Sequence, residues 1–216
     1  LACGVAVKLD QHRIVHITAE RAFHGFQICL VAVRGQLNAV GKAGAQIIAH
    51  EFTRQYLGSE MRLDWQGGKT YKARAPQALP TKTFYTTGSM TFGGEKIDYG
   101  HLGQAHTDGD VYVRFAEENV IVAADVVSAI RYPIIDSASN GWLGGMHGAL
   151  RTLAARCDAN TKVISAVGAP VGVDAVKQQQ EMCYSVLSRI GETYYKGGTF
   201  EELLASGPTK EFDAQY

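Results

Sequence analysis

The segment HLGQAHTDGD (101–110) sets His106 between small residues and follows it with Thr-Asp-Gly-Asp, and the apolar run VIVAAD ends on Asp125. An imidazole and a carboxylate at two strand ends are groups that ligate a divalent metal such as zinc. Asp108 and Asp110 have a second use, because Asp and Gly form turns and cap backbone N–H groups. Other chemistries find less support. Neither GGEK (93–96) nor the Gly144-Gly145 pair has the glycine and Lys-Ser/Thr spacing of a phosphate loop. No Ser-His-Asp or Cys-His constellation stands out. The four cysteines, Cys3, Cys29, Cys157 and Cys183, form no CxxC pair and are expected to be buried free thiols.

Periodicity locates the strands and helices that carry these residues. GVAVKL (4–9), RIVHITA (13–19) and FQICLVAV (26–33) are rich in β-branched residues and predict strands, with a turn at 10–12. NAVGKAG (38–44) predicts a short helix or turn, AQIIAHE (45–51) a buried strand, and FTRQYL a helix. The mixed, polar stretch 58–80 reads as loop. Hairpin strands are expected at 82–86, 89–92 and 95–99. In DVYVRFAEENVIVAAD (110–125), Val111, Val113 and Phe115 alternate with Tyr112 and Arg114, AEEN turns the chain, and VIVAA is a continuously buried strand.

A helix over 141–156 would carry Trp142, Met146, Leu150 and Leu153 on one stripe. KVISAV (162–167) is a strand. Asp174 is the expected cap of a helix burying Val176, Cys183, Val186, Leu187 and Ile190. Thr199-Phe-Glu-Glu202 fits a capping box. Strands followed by helices, twice, predict two sheets with helices outside.

Composition sets the limits. With 216 residues, 46% of them hydrophobic, the chain can bury a sizeable core, and a single domain over 1–216 is expected. Its 21 basic and 21 acidic residues balance, so no nucleic acid partner is expected. No apolar run is long enough for a membrane span and no targeting segment is recognised, so a soluble protein with no membrane partner is expected.

KAGAQIIAHE, HLGQAHTDGD, FAEENVIVAAD, YPIID, NTKVI and PTKEFDAQY, taken together and in order, resemble the metallo-β-lactamase superfamily of zinc hydrolases over roughly residues 38–216. The resemblance implies an α+β, four-layer αββα sandwich, here with a reduced N-terminal half. It also implies one or two zinc ions at one edge. His106 matches the third metal-binding histidine. Asp125 matches the bridging aspartate, with Ala124 where the family usually has glycine. Asp108, and Tyr132 and Asp136 in RYPIID, match residues lining the pocket.

The resemblance breaks at the remaining ligands. AVRGQLNAVGKAG (32–44), where the family's His-x-His-x-Asp-His signature belongs, has neither histidine nor acidic residue. His12, His16 and His24 have a different spacing. Val167 stands where the last ligand histidine is expected. His106 and Asp125 are then relic ligands, expected to pair with each other by a hydrogen bond. His50 is read as structural, and His101 and His147 as surface or site-adjacent. No cofactor is expected, with zinc only if a residual site works.

Three readings stay open: a ligand-poor relative without family-type hydrolase activity that binds a small molecule in the old cleft; a hydrolase of esters, thioesters or lactams with a residual or rebuilt zinc site; and a structural or assembly subunit. A helix's worth of chain is short between RIVHITA and FQICLVAV, so apolar surface would be left for a homodimer to cover. Similarity begins abruptly near Lys42, as divergence or an altered upstream reading frame would produce.

Overall fold

The computed structural model describes residues 4–7, 28–31, 37–63, 67–92, 94–166 and 168–216. The expected strand at 13–19, the turn at 10–12, His12, His16, His24, Trp65 and Val167 lie outside the described residues.

One sheet has four strands in the order β2-β1-β3-β6, formed by β1 (Gly4–Val7), β2 (Ile28–Val31), β3 (Gln46–His50) and β6 (Lys82–Phe84). The other has five strands in the order β11-β10-β9-β8-β7: β7 (Thr87–Phe92), β8 (Glu95–His101), β9 (Val111–Phe115), β10 (Val120–Ala124) and β11 (Lys162–Ser165). The two sheets share a core in which Ile48 of β3 meets Ile97, Tyr99, Val113 and Val122. Alternation sends Tyr112, Ile121 and Ala123 the other way, under α3 (Leu143–Ala154) and α4 (Val173–Tyr195). This explains why VIVAA is apolar throughout: both faces of β10 are covered.

On the outer side of the four-stranded sheet, Ile47 is buried with Leu37 of α1 (Leu37–Lys42) and Ala78 of a 3-10 turn (Pro76–Ala78). Helix, sheet, sheet and helix therefore stack as the expected α+β sandwich.

Several expectations need correction. The 82–86 strand does not join a hairpin with its successor; β6 crosses to the other sheet and pairs in parallel with β3. The 58–80 stretch is not all loop: β4 (Met61–Leu63) and β5 (Lys69–Tyr71) pair antiparallel within it. Met146, Leu150 and Leu153 are fully buried as the stripe requires, but Trp142 is the N-cap of α3 and 51% exposed. Gly172, not Asp174, precedes α4, and Asp174 sits in the first helical turn, where its charge suits the positive end of the helix. Ile190 is exposed. The capping box at α5 (Phe200–Ala205) forms as expected, with both Thr199 and Glu202 bonds in place. Cys183 is a buried free thiol whose pKa burial raises to about 12, and Cys157 is free and half-buried. Among the described residues, no helix is long and apolar enough to cross a membrane.

Candidate functional site

Register brings one end of both sheets together. β3 and β6 run parallel and end at His50 and Phe84. In the other sheet His101 of β8 pairs with Val111 of β9, and antiparallel β10 returns to the same edge to end at Ala124 beside Ser165 of β11. The His50 and His101 rings stack across the seam with centroids 3.9 Å apart and planes 16° from parallel. The 102–110 loop and Asp125 both belong to this edge.

The loop is built from its own side chains. The Asp110 carboxylate accepts hydrogen bonds from the Thr107 backbone N–H (2.8 Å) and hydroxyl (2.9 Å), and the Gly109 N–H donates back to the Thr107 hydroxyl (3.1 Å). Burial raises the Asp110 pKa, while nearby His106 and the two Thr107 bonds oppose the rise. α2 (Glu51–Leu57) grips the loop from outside. Thr53 donates to the Gly109 carbonyl (3.1 Å), and the Tyr56 hydroxyl donates to Asp108 Oδ2 (3.0 Å). Asn140 donates to the same oxygen at 2.9 Å. Burial and the Asp108 carboxylate push the Tyr56 phenol well above its ordinary range.

His106 is held from the opposite side by the YPIID segment. A carbonyl can only accept, so His106 Nδ1 donates its proton to the Ile134 carbonyl at 2.7 Å. In the neutral ring Nε2 then carries the lone pair. The Asp136 N–H donates to the His106 carbonyl at 2.9 Å. A Cβ on Gly141 would lie 2.0 Å from that same carbonyl oxygen, so only glycine lets α3 begin here.

The other residues of interest take separate places. Asp125 is half-buried and follows Ala124, whose φ of 43° is a left-handed conformation that costs a non-glycine residue energy. The segment just after it is clamped by buried Gln179 of α4, which accepts from the Ser128 N–H (2.8 Å) and donates to the Val126 carbonyl (3.0 Å). The expected His106–Asp125 hydrogen bond does not form: His106 bonds to Ile134, and no bond to Asp125 is found among the described residues. Asp108 and Asp136 are buried within the loop's support: Asp136 accepts from Ser139, and Asp108 bonds through Oδ2 while its Oδ1 meets no partner among the described residues. Tyr132 is half-buried and points to the chain's end, where its hydroxyl donates to Asp213 (2.7 Å) and its ring stacks on Tyr216. The YPIID and FDAQY motifs thus meet in space.

His50 caps α2 by accepting from the Phe52 N–H at Nδ1 (3.3 Å) and donates from Nε2 to the Tyr85 carbonyl (3.1 Å). With both nitrogens committed the ring is held neutral. Burial and the adjacent His101 lower its pKa, against weaker pulls from Tyr85, Asp108 and Glu51. His101 donates to the Asp108 carbonyl (2.8 Å), and His147 on α3 donates to the Gln180 carbonyl (3.2 Å). These supporting roles of His101, Tyr56 and Asn140 carry no local sequence signal.

As a zinc site, the described donors are incomplete. A histidine whose Nδ1–H is fixed by a carbonyl presents Nε2 in the manner of a metal ligand. Yet among the described residues no group of three or more His, Cys, Asp or Glu side chains is arranged to hold a metal ion. The described residues do not by themselves fit a resident zinc.

No family model and no curated protein matches the sequence. Solved structures do match in shape. A metallo-β-lactamase from Pontibacter korlensis aligns with TM-score 0.54 at 16% identity, covering 69% of this chain and 63% of its own. VMB-1 gives 0.53 at 12% identity, covering 71% and 63%. The metallo-β-lactamase DIM-1 gives 0.52 at 11% identity, covering 69% and 62%. The chain has the metallo-β-lactamase fold, and its match spans less than two thirds of the length of these structures.

Proposed function

We propose that this chain is a metallo-β-lactamase-fold protein that has lost most of its zinc ligands, lacks family-type hydrolase activity and binds a small molecule in the cleft at the strand-end edge. The donor set carries this reading. Among the described residues no group of three or more His, Cys, Asp or Glu side chains is arranged to hold a metal ion, and Asp108 Oδ2, Asp110 and Asp136 accept hydrogen bonds within the loop and its support, with Asp108 Oδ1 left unpartnered among the described residues. Two side chains leave a cation mostly to water, and each missing ligand lowers affinity steeply.

The test is elemental analysis of protein purified with zinc present and passed through gel filtration, alongside assays on a lactam, an ester and a thioester. Substoichiometric zinc and no turnover are the expected results. One zinc per chain, lost in His106→Ala, overturns the reading.

A second reading, a zinc-dependent hydrolase with a rebuilt site, draws support from one observation. The Ile134 carbonyl fixes His106 in the tautomer that a ligand needs. A histidine such as His24 or His101 would complete the site; His101 Nε2 donates to the Asp108 carbonyl, His24 lies outside the described residues, and the same zinc measurement separates the two readings.

A further inference from the structure

A cleft of about 330 Å³ opens on the helix-facing side of the five-stranded sheet, at the C-terminal end of α3. It lies apart from the site above. α3 starts beside the His106 loop and runs for 12 residues, so at ~1.5 Å per residue its far end is about 18 Å away.

Strand register assembles the lining. Ser89 pairs with Asp98, Asp98 with Arg114, and Tyr112 with Gly100, which in turn pairs with Thr87. Thr87, Ser89, Asp98, Tyr112 and Arg114 therefore share one face, and Arg156 reaches in from just beyond α3. The Arg156 guanidinium lies 4.8 Å from the centre of the Tyr112 ring and donates to the Thr152 carbonyl (2.7 Å). Those two contacts fix its plane. Arg114 has no such anchor among the described residues. Its Nε is buried without a hydrogen-bond partner among the described residues, and Asp98, the carboxylate opposite it, is paired with Lys96 at 3.2 Å.

A buried guanidinium N–H with no acceptor is incomplete, and its natural complement is an oxyanion that takes the planar fork of donors. A second arginine sits in the same cleft, and with Lys96 the local cations outnumber Asp98. Thr87 and Ser89 add exposed hydroxyls. The volume exceeds that of one phosphate and falls at the small end of ligand pockets, and Asp98 offers an acceptor for a hydroxyl-bearing body.

We infer that this cleft, with Arg114 and Arg156 as its anion-binding pair, takes a small hydroxylated phosphomonoester such as a sugar phosphate. The assignment is independent of the metal question at the other site.

Isothermal titration with glucose 6-phosphate, inorganic phosphate and glucose tests it. Saturable binding of glucose 6-phosphate, weaker binding of inorganic phosphate and none of glucose are expected, with affinity falling as salt rises. Arg114→Gln should weaken glucose 6-phosphate at least about tenfold with its circular dichroism unchanged. Arg156→Lys keeps the charge but loses the fork and should also weaken binding. Inorganic phosphate should displace glucose 6-phosphate from the unaltered protein, which needs no variant to fold. Equal affinity in the unaltered protein and Arg114→Gln, no saturation by either phosphate compound, or glucose binding as tightly as its phosphate overturns the assignment.

Discussion

The 102–110 loop and the arginine cleft adjoin the same strand, β9, and differ in how many of their buried charged atoms are bonded within the protein. In the loop, Asp110 holds Thr107 twice and Asp108 Oδ2 is held by Tyr56 and Asn140, with Asp108 Oδ1 a buried acceptor that meets no partner among the described residues. In the cleft, the buried Arg114 Nε meets no acceptor among the described residues, and Asp98 turns to Lys96 instead. A buried polar group whose bonds are made inside the protein contributes to structure. One whose bonds are left unmade costs stability and is free to take a ligand. Most of the hydrogen bonds of the acid-rich loop, which draws attention in the sequence, hold the loop itself in place, while an unpartnered buried donor lies at Arg114, a residue that looks ordinary in the sequence.

The contrast can be broken most severely at Gly141. Gly141→Ala drives a methyl into the His106 carbonyl oxygen 2.0 Å away, which is backbone and cannot step aside. A loss of about 3 kcal/mol in urea unfolding is expected. A loss under about 1 kcal/mol would mean that the α3 start is not pressed on the loop.

Asp110→Ala comes next. It strands the buried Thr107 N–H and hydroxyl, and about 2 kcal/mol should be lost in the same measurement. An unchanged midpoint would remove the claim that this carboxylate is structural.

A smaller effect is expected from pH at the seam. His50 has a folded pKa below its ordinary 6.5, so the unfolded chain takes up the proton first. Its contribution is complete above that pH and is lost as pH falls through the lowered folded value. Thermal melts should therefore drop on acidification below about pH 6.5, and His50→Gln should flatten that part of the profile.

The smallest effect is expected in the cleft. Arg114→Met should change stability by no more than about 0.5 kcal/mol, or raise it, because no internal bond is lost. A large destabilisation would place Arg114 with the loop's structural groups and erase the contrast.

How much of this was legible beforehand depended on the distance over which each feature is decided. The α3 stripe of Met146, Leu150 and Leu153, the alternation in β9 and the Thr199 capping box rest on neighbours within a turn or two, and each appears as read. The Trp142 and Ile190 positions failed because a stripe says which residues share a face, not where the covering layer ends. The β6 strand failed because a neighbouring strand in sequence gives no information about a parallel partner 34 residues earlier.

Residue order alone located the apolar strands β9 and β10, the buried stripe of α3 and the strand-end groups His106 and Asp125, and predicted two sheets with helices outside; the αββα layering followed from the family resemblance. The partners of His106 and Asp108 came from packing between distant segments. The His106 proton is set by a carbonyl 28 residues away, and Asp108 is held by a tyrosine 52 residues away. The want of a partner at Arg114 is a property of everything that packs around it. Periodicity is local, whereas the satisfaction of a buried donor or acceptor is settled by whichever distant segment the fold brings within 3 Å.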